Sequence, residues 1–156
     1  MASLELQRHN QTVLDNLELG DMLEFKRGAY SQWAVYVGNK EVVHLSGVDG
    51  PTQSGLFTSV SISGAQFDNG IIRKDAFWDV VGLNEVCKNN SKDEKLKHFK
   101  PSEIVQRALS RLGEVGYNIL FNNCEHFATW CRYGKEESDQ VQGLFDAVAE
   151  VGSAKL

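Results

Sequence analysis

Residues 32–45 read QWAVYVGNKEVVHL, two runs rich in β-branched and aromatic residues separated by Gly-Asn-Lys. Runs of that composition around a short turn predict a β-hairpin, and its register decides which side chains share a face. A two-residue turn at Asn39 and Lys40 pairs Gly38 with Glu41 and sets His44 opposite Val35, away from Gln32. A three-residue loop, Gly38 to Lys40, sets His44 opposite Ala34, on the same side as Gln32 and Tyr36. The second register is preferred. It gathers Trp33, Val35, Val37, Val43 and Leu45 on one apolar face and leaves Gln32, Ala34, Tyr36 and His44 on the other.

Around this hairpin the chain reads as α+β. Leu17 to Lys26 holds an earlier half-buried strand, preceded by a polar lead-in over residues 1–16 that reads as loose or weakly helical. Residues 47–70, rich in Gly, Ser and Thr, predict a long loop with one short strand. Residues 71–82 read as a further strand region with a bend near Lys74. Pro101 and Ser102 open a helix in which Ile104, Val105, Ala108, Leu109 and Leu112 recur at helical spacing, with Ser102 as cap and Gly113 as stop. A second helix is expected from about Asn123 to Tyr133. Antiparallel strands with helices packed on one side account for this order.

The 156 residues, 42% of them apolar, suffice for one domain with its own core. A net charge of −5 argues against nucleic acid, since phosphate contact needs a positive surface. Three cysteines and no signal-like N-terminus fit a reducing, cytosolic setting. No apolar run approaches the length of a membrane span. Residues 88–100 carry five lysines against one Asp and one Glu. They form a basic segment in which Lys95, Lys97 and Lys100 are candidates for contact with anionic headgroups, against the plainer reading of a solvated loop.

The chemistry points to FNNCEHFATWCRYG, residues 121–134. An asparagine before a helix accepts from first-turn amides, and a cysteine just after it gains a stabilised thiolate. Cys124 is therefore a candidate nucleophile, with a plain buried thiol as the alternative. Of the four histidines, His126 lies roughly 200° around the helix from Cys124, and His9 and His98 read as surface residues. His44 remains as the candidate base, or as a core histidine bonded to backbone. Cys124 and Cys131 are not spaced like zinc ligands, so no metal is expected.

Asn-Cys-Glu-His-Phe at 123–127 with Arg-Tyr-Gly at 132–134, Trp-Ala-Val-Tyr-Val-Gly at 33–38, Val-Val-His-Leu at 42–45, Gly20-Asp21 and Ser-Asp-Gln-Val at 138–141 together resemble the lecithin:retinol acyltransferase-like family. The resemblance is nearest to the family's phospholipase A and acyltransferase group. It spans residues 17–141 as a catalytic-type domain, leaving 142–156 as a tail without an anchor. It implies a permuted NlpC/papain-like fold, no cofactor, and a glycerophospholipid or other acyl-lipid substrate. The cysteine would form a thioester that passes to water, an amine or a hydroxyl. By position Cys124 matches the nucleophile and His44 the family's second histidine. The first is replaced by Gln32, whose amide is not a base. Asn123 and Tyr36 are expected to support the site. Two functions follow as expectations: slowed acyl transfer with an altered triad of Cys124, His44 and Gln32, or a catalytically silent binding or regulatory relative. Either would be a monomer in the cytoplasm, with peripheral membrane contact as a further option.

Overall fold

The computed structural model describes residues 3–47, 70–116 and 120–135. Its centre is an antiparallel sheet in the order β5-β1-β2-β3-β4-β6, with β1 Met22–Lys26, β2 Ser31–Gly38, β3 Glu41–Gly47, β4 Gly70–Ala76, β5 Glu85–Lys88 and β6 Val115–Gly116. The helices are α1 Leu4–Asp15, α2 Phe77–Val81, α3 Pro101–Ser110 and α4 Leu120–Tyr133. The expected loop over 47–70 and the tail lie outside the described residues, apart from Gly47 and Gly70, which are strand ends.

Strand alternation builds two cores. Trp33, Val35, Val43 and Leu45 pack with Met22, Ile72 and the α3–α4 residues Ile104, Ala108, Cys124, Phe127 and Cys131. On the opposite face Leu23, Phe25, Ala34 and Val42 pack with Leu14 of α1 and with Phe77, Val80 and Val81 of α2. Helices therefore cover both faces rather than one. At about 25 cal/mol per Å² of apolar surface removed from water, each face contributes to holding the sheet in place.

The hairpin resolves its register in an unexpected way. Asn39 and Lys40 both have positive φ, 56° and 60°, so the turn is the two-residue kind whose twist suits antiparallel strands, and Gly38 pairs with Glu41. A bulge between Tyr36 and Gly38 then absorbs one residue. Beyond it Ala34 stands opposite His44. The preferred facing of His44 is thus reached by a short turn plus a bulge, not by a three-residue loop.

Other elements also differ from expectation. The lead-in is a full helix, capped by Ser3 accepting from the Leu6 amide. It is docked where Asn10 donates to the Asn84 carbonyl and accepts from the Val86 amide, as a neighbouring strand would. The region after Lys74 is a strand followed by helix α2. α3 starts on Pro101 with no side-chain cap, and Leu109 and Leu112 are exposed.

α4 is anchored at its C-terminal end. Arg132 donates to the Gly20 carbonyl at 2.9 Å and to both oxygens of Asp93, Tyr133 donates to Asp93, and Arg107 donates twice to the Trp130 carbonyl. The two motifs Gly20-Asp21 and Arg132-Tyr133-Gly134 thus form a fastener. Asp21 itself accepts from the Glu18 amide and from Asn90. With its end held, α4 lies across β2 and β3, which fixes where Cys124 falls.

Candidate active site

Helix α4 begins at Leu120, so the Asn123 backbone lies inside it and Cys124 falls in the second turn rather than the first. Helix-dipole stabilisation fades beyond the first turn. Cys124 is fully buried, and burial pushes its thiol up to about 12, aided by the Glu125 carboxylate, while the amides of Trp33, Cys124 and Glu125 pull the other way. The expected lowering is overturned by desolvation, which favours the neutral thiol.

The sulfur has a defined seat. Its S–H donates to the Ser31 carbonyl at 3.7 Å, and the Trp33 amide is directed at it. Tyr36 bonds through its backbone to Gly20 and Asp21 on the β1 side, so alternation turns the backbone groups of Ser31 and Trp33 to the β3 side. There the pairing with β3 begins only at Ala34. Cys124 therefore fills the lateral gap where β2 and β3 part, held by the two peptide groups that flank Gln32.

From Gln32 a polar row crosses the α1/α2 face. The Gln32 amide nitrogen lies 3.0 Å from His44 Nδ1, and His44 Nε2 lies 2.8 Å from Asp75 Oδ2. Gln32 Oε1 accepts from Arg27 Nε at 3.1 Å and Nη2 at 2.7 Å. Gln32 and His44 are both fully buried. Burial holds His44 below its usual value, opposed by the hydrogen bond to Asp75. Asp75 is 12% exposed. Burial would raise its carboxyl, but hydrogen bonds from His44 and Arg73 hold it at about 2. Arg27, lowered to about 10 by burial with Tyr30 and Cys124 opposing, also donates to the carbonyls of Val80 and Val81 and to Asn84.

The structure thus brings Gln32 and His44 together and seats Cys124 against the peptides on either side of residue 32. Both His44 nitrogens are committed to the row rather than turned to the sulfur. Tyr36 serves elsewhere, its hydroxyl accepting from the Lys40 amide, and the Asn123 side chain lies outside the described residues. Lys95, Lys97 and Lys100 are exposed. His9 is bonded to the Val86 carbonyl and His98 is exposed. Among the described residues no cluster has the ligands for a metal ion. None of their helices is long and apolar enough to cross a membrane.

Sequence reasoning passed over Arg27 and Asp75. The signal for Asp75 was an acidic residue two positions past Arg73 on a strand whose alternation shares a face with His44. For Arg27 it was a basic residue five before Gln32, across the turn of the β1–β2 hairpin.

The sequence model described as lecithin retinol acyltransferase matches residues 15–137. Phospholipase A and acyltransferase 3 of Mus musculus is 39% identical over 136 residues, covering 86% of this chain and 80% of that protein. The Homo sapiens protein of the same name is 37% identical over 134 residues, 85% of this chain and 81% of its own. Phospholipase A and acyltransferase 2 of Homo sapiens is 36% identical over 137 residues, covering 87% and 81%. With the α+β architecture and a cysteine-bearing helix packed on the sheet, these likenesses show that the chain belongs to the lecithin retinol acyltransferase family.

Proposed function

We propose that the protein transfers or hydrolyses acyl groups of glycerophospholipids through Cys124, at a rate limited by the glutamine at position 32. In this reading Sγ attacks the ester carbonyl carbon, the thioester forms as the ester C–O bond breaks, and the thiol proton leaves on the departing alcohol. Water, an amine or a hydroxyl then takes the acyl group and restores the thiol. The names of the similar proteins support the substrate class. The observation that carries the reading is the seat of the sulfur, between the peptide groups that flank residue 32, where a basic side chain would complete a nucleophile–base pair.

The magnitude follows from the thiol. With Cys124 near 12, only roughly one molecule in 10⁵ holds a thiolate at pH 7, and absence of a general base typically costs about 10²–10⁴ in rate. The exposed Lys95, Lys97 and Lys100 would meet anionic headgroups at a membrane surface, each contributing about 1 kcal/mol. The protein would act there as a peripheral monomer.

A second reading is favoured by the burial of Cys124 and by the commitment of both His44 nitrogens. It is a silent member that binds an acyl-lipid or a protein partner. The test is incubation with a short-chain phosphatidylcholine and mass spectrometry of the protein, comparing wild type, Gln32→His and Cys124→Ala. An acyl adduct on Cys124 that rises by about 10²-fold or more in Gln32→His, and is absent in Cys124→Ala, supports the enzyme. No adduct in either cysteine-containing protein leaves the silent reading.

A further inference from the structure

The row from Arg27 to Asp75 has a single consistent direction. The Arg27 guanidinium can only donate, so it meets the oxygen of Gln32 and turns the Gln32 amide N–H toward His44. His44 Nδ1 must then accept, which leaves the proton on Nε2, where Asp75 accepts it at 2.8 Å. Asp75 is held from its other side by Arg73, whose Nε and Nη2 lie 3.1 and 3.2 Å from its two oxygens. The cation at one end and the carboxylate at the other therefore impose the same tautomer on the imidazole between them.

We infer that Asp75 is a positioning residue for the Cys124 site: by accepting from Nε2 it keeps the His44 Nδ1 lone pair aimed at residue 32. The inference rests on the functional reading only for its consequence, that a histidine restored at 32 would be oriented by donating to Nδ1. Its geometry stands apart from turnover. Asp75 is 31 residues from His44 in sequence and one strand away, with Arg73 rather than Asp75 directly opposite His44. The contact is diagonal, within the reach that such neighbours have across a sheet.

The test reads the tautomer directly, by ¹⁵N NMR of the imidazole nitrogens of His44 in the full chain at neutral pH. Wild type should show a protonated Nε2 and a bare Nδ1. In Gln32→Ala, where Arg27 no longer acts on Nδ1 through residue 32, Nε2 should stay protonated; adding Asp75→Ala should mix the two forms, and adding Asp75→Glu instead should keep Nε2 protonated. A His44 signal that is the same in Gln32→Ala with and without Asp75→Ala overturns the inference. Should those variants fail to fold, Gln32→Glu offers a second reading. An acceptor at 32 facing Nδ1, with Asp75 still facing Nε2, should leave both nitrogens protonated, the nearby cations being Arg27 and Arg73. A bare Nε2 in Gln32→Glu would show that Asp75 does not hold the proton. In the Gln32→His background, Asp75→Asn should slow acylation of Cys124 by about tenfold or more, at unchanged substrate affinity, with Asp75→Glu recovering most of it. If neither protein of that background acylates, the functional reading fails, while the tautomer result still decides the role of Asp75.

Discussion

Replacing Arg27 with alanine should destabilise the fold by about 3–5 kcal/mol. Its guanidinium satisfies Gln32 Oε1, the carbonyls of Val80 and Val81, and Asn84 Oδ1 at 2.6–3.2 Å. The Val80 and Val81 carbonyls lie at the C-terminal end of α2, where helix carbonyls lack an intrahelical partner, and Val81 accepts in addition from the Asn84 amide. Losing a charged donor costs about 1.5–3 kcal/mol per bond in a dry site. Arg27 is only partly buried, so water recovers some of that, and about 1 kcal/mol for each of the four acceptors is the working value. Equilibrium urea unfolding followed by tryptophan fluorescence reads it. With a slope of about 2 kcal/mol/M, the midpoint should fall by about 2 M. Arg27→Lys should recover less than half, because an ammonium lacks the planar fork that serves two sides at once. A midpoint within about 0.3 M of wild type for Arg27→Ala would refute the idea that this side chain fastens β2 to α2.

Stability should fall on acidification below about pH 6.5. His44 titrates lower in the folded protein than in the unfolded chain, so over that range the unfolded state binds the extra proton, at up to about 1.4 kcal/mol per pH unit. Asp75, held near 2, adds a contribution that persists above its ordinary range and vanishes only as pH falls through about 2. Urea midpoints that stay flat from pH 7 to 5 would contradict the His44 part. Lys40→Gly should stabilise by about 0.5–1 kcal/mol in thermal melts, since Lys40 sits at φ 60°, a region that glycine enters without strain. Ser46→Ala should raise the melting temperature by an amount matching about 1 kcal/mol, because the Ser46 hydroxyl is buried with no hydrogen-bond partner among the described residues; a lower melting temperature would reveal a partner. Charge reversal at Lys95, Lys97 and Lys100 together should abolish sedimentation with phosphatidylserine vesicles while leaving the urea midpoint unchanged, and undiminished sedimentation would remove the proposed headgroup contact.

Within each strand of the hairpin, the residues alone show which side chains share a face. A strand has a period of two residues, and a run such as WAVYV carries that period locally, so Trp33 and Val35 against Gln32 and Ala34, and Val43 and Leu45 against His44, were legible without coordinates, while the facing of one strand against the other waited on the turn and its bulge. The α+β class and the helix containing Cys124 were legible for the same reason, through spacing and the motifs around it. The turn was not, because the bulge at Val37 sits beside Tyr36, whose backbone bonds to Gly20 and Asp21, contacts that the hairpin residues do not record. α1 was not, since its docking rests on Asn10 and the edge of a strand some 75 residues away. The state of the sulfur and the direction of the polar row came from three-dimensional packing alone. Desolvation depends on everything packed around an atom, and here it outweighs the amides beside Cys124. Asp75 and Arg27 meet His44 and Gln32 only because the sheet places their strands side by side. Charge and burial act through space, and position along the chain does not record them.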